Sequence, residues 1–178
     1  GFPLSQAFIE QTLAAHPGIA RMLVALFRAR FDPAAADDDL ARRQAGAIRT
    51  ALENVTNLSE DRVLRQYVAV IEATLRTSFW RVDGEGRRRP YLSFKLDPAQ
   101  VPGMPAPAPL FEIWVYAPRF EGVHLRGGKV ARGGLRWSDR REDFRTEVLG
   151  LVKAQMVKNT VIVPVGSKGG FFCKQLPD

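Results

Sequence analysis

The pattern that decides the fold class lies in residues 139–170, DRREDFRTEVLGLVKAQMVKNTVIVPVGSKGG. Apolar residues recur at helical spacing from about Asp139 to Lys158, which predicts a helix with one apolar face. The predicted inner residues are Phe144, Val148, Leu151, Val152 and Met156. The next run, Val161–Val165, is short and wholly apolar, which is typical of a buried strand. A helix that leads into a buried strand predicts an α/β layer.

Upstream of this stretch, the apolar period changes to two. Apolar and polar residues alternate over Leu92–Leu96 and over Phe111–Tyr116, which predicts two strands. The segment between them carries prolines from Pro98 to Pro109, so we interpret it as an extended surface loop. Together with the helix and buried strand, these two strands place an α/β region in residues 79–178.

The N-terminal part, from Leu4 to about Arg76, has helical spacing instead. Residues 37–39 are acidic and favour a helix start, and Ser59 is placed to cap a later helix. We therefore predict a helical segment over 1–78 with a structural role. The chain as a whole is expected to be α+β or α/β, with two units.

Composition excludes several classes of protein. With 178 residues, 46% of them hydrophobic, the chain can bury a core, and we expect it to be cytoplasmic because it has no membrane span or signal peptide. One cysteine, Cys173, and two histidines, His16 and His124, predict neither an internal disulfide nor a metal site. The net charge of +7 is scattered, and the run 87–89 follows a hairpin signal, so we do not expect nucleic-acid binding.

The first candidate for chemistry is Lys168, which lies between glycines just after the predicted buried strand. A ligand can approach such a lysine closely, and partial burial would lower its pKa and make the amine a usable base. The alternative is an ordinary exposed turn with a solvated lysine. A phosphate-binding P-loop is excluded because Gly169, not Ser or Thr, follows the lysine.

Two further groups could bind a carboxylate. Gln155 and Lys158 lie three residues apart near the end of the predicted helix, so they share one side of it. The RGGLR stretch carries two guanidinium groups, on Arg132 and Arg136, that could bind a carboxylate. Gly133 and Gly134 between them give a flexible backbone. The alternative for Gln155 and Lys158 is a polar helix end, where the lysine complements the helix dipole. The alternative for the RGGLR stretch is a turn with solvated arginines.

In combination, RGGLRW at 132–137, QMVKN at 155–159 and PVGSKGG at 164–170 resemble the substrate domain of glutamate dehydrogenases, in particular the large NAD-specific bacterial type. The resemblance is carried by residues 79–178 and is fainter over the helical segment. It implies that Lys168 is the catalytic lysine and that Lys158 binds the substrate α-carboxylate with help from Gln155. Arg132 stands where the smaller enzymes have a lysine for the side-chain carboxylate, although Lys129 or Arg136 could take that role.

The resemblance further implies oxidative deamination of L-glutamate to 2-oxoglutarate and ammonium, with NAD as cofactor, by a homo-oligomeric enzyme. NAD would be bound by a Rossmann domain outside this sequence, which has no G-x-G-x-x-G fingerprint, and the proton-transfer aspartate would also lie elsewhere. We therefore expect the isolated chain to be inactive. The alternative is a non-catalytic module that binds an acidic metabolite or mediates assembly. A leucine or phenylalanine dehydrogenase is disfavoured by the arginines around Gly133.

Overall fold

The protein is α+β. The computed structural model describes residues 4–158 and 165–176, with the side chain of Lys158 outside the described part. Within these residues there are five α-helices and a sheet of six strands. The chain divides into two compact units, Phe2–Glu72 and Ala73–Asp178. No helix in the described ranges is long and apolar enough to cross a membrane.

The first unit is helical. Its helices are α1 (Gln6–Ala15), α2 (Pro17–Phe31), α3 (Asp38–Leu52) and α4 (Leu58–Ala73). The predicted acidic start is confirmed, because the side chain of Asp37 accepts a hydrogen bond from the Leu40 amide at 2.9 Å. The predicted cap at Ser59 is wrong. Asn57, directly before α4, accepts from the Ser59 amide at 2.9 Å, because a capping side chain must precede the first helical residue.

The predicted helical faces form the core of this unit. Its most deeply buried residues are Leu26, Ile48, Leu52 and Leu64, each at most 1% exposed. The prediction that helical structure continues to about Arg76 is wrong, since α4 ends at Ala73 and Thr74–Thr77 form a strand. Pairing of this strand with Leu92–Leu96, together with its β-branched threonines, outweighs the local helical spacing.

The second unit is built on one mixed sheet. Its strands are β1 (Thr74–Thr77), β2 (Leu92–Leu96), β3 (Phe111–Tyr116), β4 (Phe120–Arg126), β5 (Leu135–Trp137) and β6 (Ser167–Cys173). The spatial order is β1-β2-β3-β4-β6-β5, and only the β5–β6 pair is parallel. The strands predicted from alternation, β2 and β3, are confirmed. The proline-rich connection between them contains a short 3-10 helix, Pro98–Gln100.

Helix α5 (Phe144–Lys158) packs on one face of this sheet. Its predicted start at Asp139 is wrong, because the Ser138 amide donates to the Phe171 carbonyl oxygen at 2.9 Å and keeps the preceding chain in the sheet. Leu151 was predicted to face inward but is 39% exposed, whereas Leu149 is buried. The buried face of α5 is formed by Phe144, Val148 and Val152, and it includes Leu149 instead of Leu151.

The sheet therefore has two distinct faces. We call the side that contacts α5 the helix face, and the opposite side the far face. Val123 and Leu125 of β4 point to the helix face, because they are buried with the α5 residues. Since side chains alternate along a strand, Gly122, His124 and Arg126 belong to the far face.

Candidate functional site

Lys168 lies in strand β6 and not in an exposed turn. It pairs with Leu125 of β4, which places it on the helix face. Its side chain is half-buried, and no carboxylate pairs with it among the described residues. The strand thus presents a partly desolvated ammonium group that its own surroundings do not neutralise. The predicted strand Val161–Val165 lies outside the described residues except for Val165.

The two glycines after Lys168 are required by packing. A β-carbon on Gly169 would lie 2.4 Å from the Leu135 side chain, and one on Gly170 would lie 2.4 Å from the Val148 side chain. Leu135 approaches from β5, while Val148 approaches from α5 on the helix face. The glycines therefore allow side chains of β5 and α5 to approach the strand closely, one on each face, directly after the lysine.

The Arg132–Gly134 segment lies alongside β6. The Ser167 amide donates to the Arg132 carbonyl oxygen at 2.9 Å, and the Gly169 amide donates to the Gly134 carbonyl oxygen at 3.0 Å. These bonds extend the parallel β5–β6 pairing back to Arg132, so this backbone lies along a sheet edge instead of in a turn. Gly133 is essential to this contact, because a β-carbon there would lie 1.5 Å from the Ser167 carbonyl oxygen.

Gln155 joins this group from helix α5. A β-carbon on Gly166 would lie 2.7 Å from the Gln155 Nε2 atom and 2.8 Å from the Arg132 carbonyl oxygen. The Gln155 amide therefore lies at the point where β6 begins and the Arg132 backbone passes. The structure thus brings the residues around Lys168, Arg132 and Gln155 together, although they are far apart in sequence.

Lys158 is the last residue of α5, three positions after Gln155. Its side chain lies outside the described part of the chain, so its predicted contact with the α-carboxylate stays a prediction. Within that motif, Gln155 is the residue whose side chain reaches the start of β6 at Gly166.

The three candidates for the side-chain carboxylate differ in their surroundings. Arg136 is already paired, since its Nε atom lies 3.5 Å from the Glu147 Oε2 atom in the first turn of α5. Lys129 is exposed on the loop after β4. Arg132 is exposed beside β6, and no acidic partner faces it among the described residues. Arg132 is therefore the best placed of the three.

The sequence analysis missed a buried ion pair that fixes α5 to the sheet. Glu112 on β3 is 1% exposed, and its carboxylate accepts bonds from the Arg145 guanidinium at 2.6 and 2.8 Å. The Trp114 indole donates to the same carboxylate at 2.6 Å. A lone glutamate within an apolar strand, with an arginine in the first turn of a later helix, is the signal that could have suggested it.

The resulting arrangement suits recognition of an acidic substrate. It combines a half-buried lysine, an exposed arginine and a side-chain amide, which are donors that bind carboxylates. Within the described residues, no group of three or more His, Cys, Asp or Glu side chains could hold a metal ion. The site thus offers positive charge and hydrogen-bond donors, while Glu112 and Glu147 are paired with Arg145 and Arg136.

Comparison with known families agrees with this geometry. Residues 47–178 match the model of the bacterial NAD-glutamate dehydrogenase catalytic domain. The chain belongs to this family. Residues 1–33 also match a second model, glutamate dehydrogenase helical motif 3.

Individual relatives give the same result. The chain is 59% identical to the NAD-specific glutamate dehydrogenase of Halomonas elongata, 58% to that of Pseudomonas aeruginosa and 51% to that of Mycobacterium tuberculosis. Each match covers 99% of this chain but only 11% of the relative. The chain therefore corresponds to a small part of the relatives that it matches.

Proposed function

We propose that this chain is part of the substrate site of an NAD-dependent glutamate dehydrogenase, which converts L-glutamate to 2-oxoglutarate and ammonium. In this proposal, residues 79–178 are the N-terminal part of the substrate domain and residues 1–78 are a helical segment. The supporting observation is the convergence of Lys168, Arg132 and Gln155 at one end of β6 without a neutralising carboxylate among the described residues. Cytoplasmic location and homo-oligomeric assembly belong to the same proposal.

The two carboxylates of glutamate would be bound by different parts of the fold, the sheet edge and helix α5. Arg132, with its planar guanidinium, would bind the side-chain carboxylate from the sheet edge. Lys158 would bind the α-carboxylate, and Gln155 would hold it in place from the same helix. Gly133 contributes by keeping this edge close to β6, and Gly134 contributes a backbone carbonyl oxygen that accepts from the Gly169 amide. A substrate with two carboxylates fits this arrangement better than an apolar amino acid does.

Lys168 would act at the reacting carbon. Its partial burial on the helix face strengthens its interaction with a developing negative oxygen and lets it orient the attacking water. When the amino group has lost a proton and Cα its hydride, the substrate is an iminium; water then adds to the same carbon, and ammonium leaves to give the keto acid. NAD supplies the hydride acceptor.

The described part of this chain does not fit a dinucleotide. Its glycines at 133, 169 and 170 pack strands and a helix against each other, rather than forming a strand–turn–helix cradle for a pyrophosphate. We therefore place the NAD site on another part of the whole protein. The steps assigned to this chain concern binding and polarisation of the substrate.

Substitution in the full-length protein tests the proposal. We expect Lys168→Met to lower kcat for glutamate-dependent NADH formation by at least about 10²-fold, the usual contribution of an acid–base group. Circular dichroism would verify the fold, and Arg43→Met, which removes a positive charge at an exposed position in the helical unit, is the control. Near-normal turnover by Lys168→Met would contradict the catalytic role. Glutamate binding without turnover by the unmodified protein would favour the non-catalytic module.

The role of Arg132 is tested separately through KM. We expect Arg132→Gln to raise the KM for glutamate by about 10-fold or more, since a bond to a charged group contributes about 1.5–3 kcal/mol. Arg136→Gln should change KM less, because that arginine already pairs with Glu147. A larger effect at Arg136 than at Arg132 would transfer the role to Arg136.

A further inference from the structure

The far face of the sheet carries basic side chains that the proposed glutamate site does not use. Strand registers place Arg76 opposite Lys95, Lys95 opposite Ile113, and Ile113 opposite His124. These residues form one row across four strands. Arg126 follows two residues after His124 on β4, so it points to the same face.

An aromatic ring holds two of these cations side by side. The Lys95 Nζ atom lies 3.6 Å from the centre of the Phe111 ring, and the Arg126 guanidinium carbon lies 5.9 Å from the same centre. The Arg126 Nη2 atom also donates to the Lys129 carbonyl oxygen. Contact with an aromatic face stabilises a cation, so the two charges are held in place despite their repulsion.

No acidic side chain balances this cluster among the described residues. Burial and the charges of Arg76 and Arg126 lower the pKa of Lys95, while burial and Arg126 lower the pKa of His124. The Asp97 carboxylate, near Lys95 in sequence, instead accepts bonds from the Ala99 amide at 3.0 Å and from Gln100 at 2.8 Å. The cluster is therefore an uncompensated positive site.

Two buried donor groups lie at the end of this cluster. Ser167 is the direct partner of Arg126 across the β4–β6 pair, and it is fully buried. Neither the Ser167 hydroxyl nor the Arg126 Nε atom has a hydrogen-bond partner within the described residues. Because buried polar groups are normally hydrogen-bonded, these two donors indicate a ligand with acceptor oxygens.

We propose that Lys95, His124, Arg126 and Ser167 bind the oxoanion group, carboxylate or phosphoryl, of a small ligand at a second site. A groove of about 560 Å³ adjoins His124 and is lined mainly by apolar residues, among them Ile113, Val115 and Phe171. It would receive an apolar part of the ligand. The cations of this site lie on the opposite face of the sheet from Lys168, so the proposal does not depend on the proposed function.

Calorimetric titration of the full-length protein tests the second site, with inorganic phosphate and malonate as probes. We expect saturable binding of at least one probe. Arg126→Gln should weaken it by about 10-fold or more, because the variant removes a charged donor to the anion. Arg43→Gln removes the same charge from an exposed position in the helical unit and should leave the affinity unchanged. Lys168→Met should also leave it unchanged.

The two probes separate the possible ligand groups. Binding that Arg126→Gln weakens assigns the ligand group: a phosphoryl group if only phosphate binds in this way, and a carboxylate if only malonate does. Lys95→Gln provides a second test that leaves the Arg126 contact with Lys129 intact. Equal affinities for the unmodified protein and both far-face variants would overturn the proposal. Failure of both probes to bind would also overturn it, and would favour an acidic polypeptide segment as the occupant of this face.

Discussion

At the scale of single residues, Glu112 shows how a charge can be buried in this sheet. Solvent cannot reach its carboxylate, which is stabilised instead by hydrogen bonds from the Arg145 guanidinium and the Trp114 indole. Removing one charge of such a pair lowers the stability of the fold far more than removing both charges. The remaining ion then has neither water nor a partner to stabilise it. The pair also links β3 to the start of α5, the helix that carries Gln155 and Lys158.

We therefore expect Arg145→Met to lower the free energy of unfolding by about 3–5 kcal/mol. Adding Glu112→Gln should restore most of this loss, because the amide is neutral and its oxygen can still accept from Trp114. Arg87→Met, at an ion pair whose arginine is 71% exposed, should cost less than about 1 kcal/mol. Urea unfolding followed by tryptophan fluorescence measures the free energy of unfolding of all three variants. Equal losses of stability in Arg145→Met and Arg87→Met would contradict the argument.

The sequence identifies some of these residues and not others for physical reasons. Lys168, Gln155 and Arg132 can be named from motif spacing, and the structure brings them together, while their catalytic and binding roles stay predictions. Glu112 could not be assigned, because its partner is thirty-three positions away and only the fold brings them into contact. The misplaced cap at Ser59 reflects a helix boundary uncertain by one or two residues.

At the scale of elements, glycines determine how β5 and β6 meet. Gly133 and Gly134 are neighbours in the same motif, yet a β-carbon on Gly133 would overlap the Ser167 carbonyl group, whereas one on Gly134 would have no atom within 4 Å. An overlap with backbone cannot be relieved by a change of rotamer. The two positions therefore form a matched pair for testing the sheet edge.

We expect Gly133→Ala to separate the two strands and to lower the free energy of unfolding by about 1–3 kcal/mol. Gly134→Ala should change it by less than about 1 kcal/mol. Hydrogen exchange provides a local readout, because the Ser167 and Gly169 amides donate across this edge and should exchange faster in Gly133→Ala alone. Unchanged protection of both amides in Gly133→Ala would show that β5 is not held as described.

These same glycines explain which strands could be predicted. Strands β2 and β3 alternate apolar and polar side chains, so their period is visible in the sequence. The start of β6, Ser-Lys-Gly-Gly, has no such alternation and is rich in a residue that normally marks turns. Its strand conformation comes from pairing with β4 and β5, which no local pattern records.

At the scale of the whole chain, each unit has its own apolar core. The helical core is centred on Leu26, Ile48 and Leu64, and the sheet core on Leu125 and Val148. The division between Glu72 and Ala73 falls where helix α4 ends and strand β1 begins. Separate cores allow the two units to lose structure at different denaturant concentrations.

The tryptophans make this separation measurable, because Trp80, Trp114 and Trp137 all lie in the sheet unit. Leu64→Ala should destabilise the helical unit by about 2–5 kcal/mol, since Leu64 is fully buried in its core. We expect the helical circular dichroism signal to be lost at lower urea, while the tryptophan transition moves much less. Leu58→Ala, at a side chain that is 80% exposed, should leave both transitions in place. If Leu64→Ala shifts both transitions equally, the two cores unfold as one cooperative unit, and mutations in the helical segment would then also weaken the site around Lys168.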